Sequence, residues 1–131
     1  MHQELTKEMR ECIKACLDAS TACTDQVVHC LGEGGKHAEA RHIQLLLDCA
    51  DICETSANFM SRHSDRHSDV CGICSDVCWD TAESCRGIED ETMIQCAQIC
   101  ERCAELCEKM AGKVRMRKPP LTGEKLVGQV I

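Results

Sequence analysis

The sequence predicts an all-α fold, an up-down-up-down antiparallel four-helix bundle with a cysteine-lined core. Three observations carry that expectation. Both prolines, Pro119 and Pro120, fall near the end of the 131-residue chain, so nothing before them forbids long helices. The 14 cysteines recur mostly in steps of three, four and seven, spacings that return a side chain to one face of a helix. Short breaks of glycine or small polar residues divide the chain into four stretches, and short connections favour antiparallel neighbours.

The first helix is expected over roughly 3 to 31, closed by Gly32, Gly34 and Gly35. Cys12, Cys16, Cys23 and Cys30 lie within ~40° of one line along it. Ala15, Ala19 and Ala22 flank that stripe on one side and Ile13, Leu17, Val27 and Leu31 on the other, with Lys14, Asp18 and Asp25 opposite. The stripe therefore faces the bundle axis, and the aliphatic flanks would seal it against other helices or another subunit. The second helix, roughly 36 to 62, carries Cys49 and Cys53 on a line that includes His42 and Met60. A polar break around 61–68 offers Ser64, Asp65 and Ser68 as N-caps. The third helix, roughly 67 to 86, holds Cys71, Cys74, Cys78 and Cys85, with His67 a turn upstream. Gly87 to Asp90 forms the last break. The fourth helix, roughly 90 to 112, runs Met93, Cys96, Cys100, Cys103, Cys107 and Met110.

Composition limits what such a core can do. Phe59 and Trp79 are the sole aromatic residues and the net charge is −7, which argues against a nucleic-acid reader. No run of ~18 apolar residues suggests a membrane span. The first ten residues have no apolar stretch of the kind that directs secretion, so a cytoplasmic protein with free thiols is expected, and cysteine density then points to metal or redox chemistry rather than disulfides. A free cysteine is also a good small core residue. That explains one such position more readily than fourteen on the inward stripes of four helices.

Thiolates select soft ions, Cu(I), Zn(II) and iron–sulfur clusters among them. Fourteen buried thiolates would carry a prohibitive charge unless neutralised, and one Cu(I) per thiolate does so, whereas Zn(II) in a four-thiolate site leaves a residual double negative charge. Five C-x-x-x-C pairs, Cys12/Cys16, Cys49/Cys53, Cys74/Cys78, Cys96/Cys100 and Cys103/Cys107, place two thiols on one side of a helix within reach of a single two-coordinate ion. An iron–sulfur or other redox protein is the competing reading. Cys71, Cys74 and Cys78 approach ferredoxin spacing, but the second two-residue gap and the Cys-Pro end of the bacterial run are missing. The C-x-x-C matches at Cys71/Cys74 and Cys100/Cys103 lack the βαβ surroundings of thioredoxin-like motifs. No paired-carboxylate or Ser/His/Asp arrangement marks an enzyme.

These paired cysteines, with C-x-x-x-C-x6-C in the first and third helices, resemble the cytosolic copper storage proteins over residues 1 to about 112. The resemblance implies a bundle that stores many Cu(I) ions along its axis, often as a homotetramer, with the inward cysteines of all four helices as ligands. The second helix departs from the pattern by supplying two cysteines only. At the end holding the termini, Met60, His63, His67 and Met110, with Met9 nearby, form a candidate mouth of neutral ligands; His29, His37, His42 and Met93 fall at the opposite end.

Residues 113–131 form a separate module. From Lys109 onward six basic residues, Lys109, Lys113, Arg115, Arg117, Lys118 and Lys125, stand against Glu124 alone, so the body before them holds the acidic excess and attracts cations. After the stiff Pro119–Pro120 step, Leu121, Thr122, Gly123, Leu126, Val127, Gly128 and Ile131 are similar in style to the peptides by which cargo enters encapsulin nanocompartments. That likeness implies docking in an encapsulin shell through residues 121–131.

Overall fold

A computed structural model describes residues 4–112, and the expected tail peptide at 121–131 lies outside them. Four helices follow in order, α1 (Lys7–Glu33), α2 (Ala40–Ser61), α3 (His67–Arg86) and α4 (Glu91–Met110), with a 3-10 turn at Gly35–Ala38 between the first two. Each helix packs on two others, so the four close into a ring. Contacts along α1 and α4 run in opposite directions, from Cys12 beside Cys107 to Cys30 beside Met93. Those along α2 and α3 run from His42 beside Ser84 to Cys53 beside Cys74. The bundle is therefore up-down-up-down.

The helix ends follow local chemistry and correct the sequence expectation by a few residues. Thr6 caps α1 by accepting from the Met9 amide at 3.1 Å, which sets its start after residue 6 rather than near residue 3. Gly32 does not end α1; the break comes at Gly34 and Gly35, whose φ angles of 71° and 55° suit glycine. At the C-terminus of α2 the Ser64 amide bonds the Phe59 carbonyl and the His63 amide bonds the Met60 carbonyl, with His63 at φ 57°. This is the Schellman arrangement with histidine where glycine is usual. None of the three expected caps starts α3. Arg66 precedes it, and Ser64 instead accepts from the Arg66 amide within the turn. Asp90 caps α4 through the Thr92 amide.

Small residues let the helices approach closely. Ala15, Ala19, Ala50, Ala57, Ala82, Ala97 and Ala104 are buried, and hydroxyls tie neighbouring backbones: Ser20 to the Ala50 carbonyl, Thr81 to that of Leu45, and Ser75 to that of Ala104. Arg86 and Glu101 clamp α3 to α4 with two 2.7 Å bonds. On α1, Ile13 and Val27 pack on the core as expected, but Leu17 and Leu31 stay exposed, together with Val28, Leu47, Ile73 and Ile94. No described helix is long and apolar enough to cross a membrane.

Candidate metal centre

Every cysteine is free and buried, and all but Cys96 have no exposure at all. Their sulfurs form one column along the bundle axis, because the inward stripe of each helix is a cysteine stripe and four stripes face one line. At the end holding the termini, the sulfurs of Cys12, Cys71 and Cys107 cluster. The next level joins Cys16, Cys74, Cys103 and Cys107, and the one after it Cys53, Cys74, Cys78 and Cys103, each set with all sulfurs within 4.8 Å of one another. Cys49 links this centre upward, 3.7 Å from Cys78 and 3.9 Å from Cys100. Cys23, Cys96 and Cys100 form the next cluster, with Cys85 against Cys96. The three lower levels share sulfurs and Cys49 bridges to the upper cluster, so the column has no gap from Cys12 to Cys100. Neither cysteine of α2 is peripheral: Cys53 lies 3.4 to 3.8 Å from the sulfurs of Cys49, Cys74, Cys78 and Cys103.

Above the last thiol cluster the donors change. Cys30 Sγ lies 3.4 Å from His42 Nε2 and 3.7 Å from Met93 Sδ, all three buried. Burial, followed by the charge of His37, lowers the pKa of His42. That favours the neutral imidazole, whose Nδ1 lies 2.7 Å from Ser84 Oγ; in the tautomer with the proton on Nδ1, Nε2 turns a lone pair towards Cys30. At the opposite end Met60 is buried with the core and Met110 packs partly buried against it. His63 is exposed in its left-handed turn, and His67 spends Nδ1 on the Ser64 carbonyl. Those two histidines line an open cleft of about 250 Å³ with Met9 and Asp65. The buried set of Cys30, His42 and Met93 thus lies at the end opposite the candidate mouth.

Without metal the thiols of the column divide: Cys12, Cys49, Cys74, Cys96 and Cys103, which accept hydrogen bonds from neighbouring thiols, are held below the ordinary thiol value, and others are pushed above it. Cys78 and Cys100 sit well above the ordinary thiol value, because their S–H groups donate to surrounding sulfurs and burial opposes charge. Burial, with the charges of Cys96, Asp90 and Glu33, pushes Cys30 up to about 11. Such groups bind more protons folded than unfolded. They contribute full stability below the unfolded thiol value of about 8.5 and lose it as pH climbs through the folded values. The reduced, metal-free protein is expected to weaken steadily from about pH 9 towards pH 11, at up to ~1.4 kcal/mol per pH unit for each raised thiol. Urea midpoints measured across that range check this; a flat profile would mean that the thiols titrate as exposed groups do.

Residues 5–112 match the family model described as copper storage protein.

The chain belongs to the copper storage protein family.

Its solved relatives share the bundle. The Nmul_A1745 protein of Nitrosospira multiformis is 42% identical, with a TM-score of 0.78 over 81% of this chain and 96% of that one. The Cu(I)-bound copper storage protein BsCsp3 is 32% identical, with a TM-score of 0.75 over 80% and 99% of the two chains. A cytosolic copper storage protein from Streptomyces lividans, holding five coppers, is 26% identical, with a TM-score of 0.71 over 83% and 96%. A copper storage protein with this continuous thiol column is not ferredoxin-like, and no βαβ unit occurs among the described residues.

Tertiary structure adds one donor that the sequence did not single out and a meeting that it did not show. Asp90 read only as a loop residue, and nothing in the sequence showed that His29 and His37, eight positions apart across a glycine loop, would meet it.

Proposed function

We propose that this chain is a cytosolic store for Cu(I), holding many ions on the thiolates of its fourteen inward cysteines and catalysing no reaction. The observation that carries the reading is the unbroken run of sulfur–sulfur separations of 3.4 to 4.0 Å that joins ten of the fourteen, from Cys12 to Cys23, within which a monovalent ion can touch two or more sulfurs and move to the next. Each thiol that binds releases its proton, so every Cu(I) added replaces one positive charge by another and the interior stays neutral. The copper-bound state of relatives with this fold supports the same ion.

Cys30, His42 and Met93 form the more developed mouth, offering neutral nitrogen and thioether beside the first thiol. Met60 and Met110, with His63 and His67 nearer solvent, are the donors at the other end. Copper needs neutral donors at a mouth because they bind and release it without a charge change. The exposed aliphatic residues Leu17, Leu31, Val28 and Ile94 suit burial against further copies of the chain, consistent with a homotetramer. Residues 121–131 serve as an address for an encapsulin shell. Native mass measurement of the full chain, and of a chain ending at residue 118 expressed with a shell protein, tests both assignments: unchanged shell loading removes the second, and a monomer removes the first.

An anaerobic titration of the reduced protein with Cu(I) against a competing chelator tests the store itself. Saturation is expected near one ion per thiol, with about one proton released per ion. Saturation at two or three ions, or tighter retention of iron or zinc, would leave most of the cysteines as packing residues and overturn the reading.

A further inference from the structure

A second group of ligand atoms, none of them sulfur, lies where α1 ends and α4 begins. His29 comes from the last turns of α1, His37 from the 3-10 turn and Asp90 from the cap of α4. Nε2 of each imidazole lies 2.8 Å from the same carboxylate oxygen, Asp90 Oδ2, and the two rings meet edge to face with centroids 5.6 Å apart. The three ligand atoms all lie within 4.8 Å of one another. The second carboxylate oxygen is already committed: Oδ1 accepts from the Thr92 amide at 2.8 Å and from its hydroxyl at 2.5 Å. Thr92 thereby fixes the carboxylate plane and reserves Oδ2 for the histidines, the role an outer-shell partner plays at a metal.

We propose that His29, His37 and Asp90 form a binding site for one borderline divalent cation, of the class of Zn(II), separate from the thiol column. Ligand chemistry sets the class. Two imidazoles and a carboxylate suit Zn(II) and its neighbours, whereas Cu(I) in the same molecule is drawn to the thiolates. Spacing agrees with it. Metal bonds of ~2.0 to 2.2 Å spread over 90 to 110° put their donor atoms roughly 2.9 to 3.5 Å apart, so the 2.8 Å separations need to open by only a few tenths of an ångström. Both imidazoles point Nε2 inward, and an ion taking those lone pairs leaves each ring proton on Nδ1. The charge left over, one positive after the carboxylate is counted, is tolerable because the side chains of His29, His37 and Asp90 are 31%, 18% and 17% exposed and water can fill the open position.

Three chain segments meet at this site, so an ion there would rivet the end of the bundle that carries Cys30, His42 and Met93. The test uses the full chain with its thiols occupied by Cu(I), titrated anaerobically with Zn(II) and separately with Co(II). One Zn(II) per chain is expected above the copper complement, and Co(II) should give a visible spectrum of nitrogen and oxygen ligation without thiolate charge transfer. Asp90→Asn, which keeps a good helix cap, and His37→Gln, which leaves the cap intact, should each weaken Zn(II) at least tenfold. The difference between these variants and the parent chain reads the site whether or not the column is full. Zn(II) uptake equal in parent and both variants, no uptake at all, or cobalt bound through sulfur would overturn the proposal and leave the three residues as a hydrogen-bonded latch.

Discussion

Filling the thiol column with Cu(I) is expected to raise the midpoint of thermal unfolding by tens of degrees. The copper-free core is weak in ordinary terms. Leu46, Met60 and Met93 are its largest fully buried apolar side chains, and most of the remaining interior is cysteine and alanine. A buried leucine or phenylalanine contributes ~1.5 to 3 kcal/mol, and a thiol or a methyl group contributes less. Copper reverses the balance through binding to the folded state alone. An ion present at a thousand times its dissociation constant adds ~4 kcal/mol, and for a domain of this size each kcal/mol moves the midpoint by roughly 4 °C or more. Three or four tightly held ions therefore suffice for the effect, and the column offers room for many more. Calorimetry of the reduced protein with and without copper, under argon, measures it. A shift of only a few degrees would mean that copper sits on the surface.

The second large effect concerns the centre of the column. Cys53→Ala is expected to remove about two ions from the saturated complement, because its sulfur is within 3.8 Å of four others and serves more than one ion at once. The loss of a single sulfur atom from the copper-free core should cost less than ~2 kcal/mol, so folding survives and capacity can be read cleanly. Cys30→Ala makes the contrast. Its neighbours are His42 and Met93 rather than a ring of thiols, so total capacity should fall by about one ion, while the rate of filling falls several-fold if copper passes that mouth. Stoichiometry by chelator competition and stopped-flow uptake distinguish the two variants. Equal losses at both positions would show that the ions occupy independent sites.

The periodicity of Cys12, Cys16, Cys23 and Cys30, and of Cys96 through Cys107, determined by itself that four helices would turn sulfur towards one axis. A side chain repeated every three or four residues has no other way to lie on one face. The absence of proline before Pro119 and the short polar breaks determined the bundle for the same kind of local reason. Helix ends were less legible, because a cap depends on one hydrogen bond: Thr6 and Asp90 make theirs, while Ser64 turns its hydroxyl to Arg66 instead. Only the tertiary structure decided which thiols share a level. Register between helices separated by dozens of residues is fixed by packing of small groups, such as Ser75 on Ala104 and Ser20 on Ala50, and spacing within one helix carries no information about it. The same holds for the two ends of the column. His42 and Met93 reach Cys30, and His29 and His37 reach Asp90, because α1, α2 and α4 converge there, whereas His63 is spent on a left-handed turn that its neighbours in sequence did not announce.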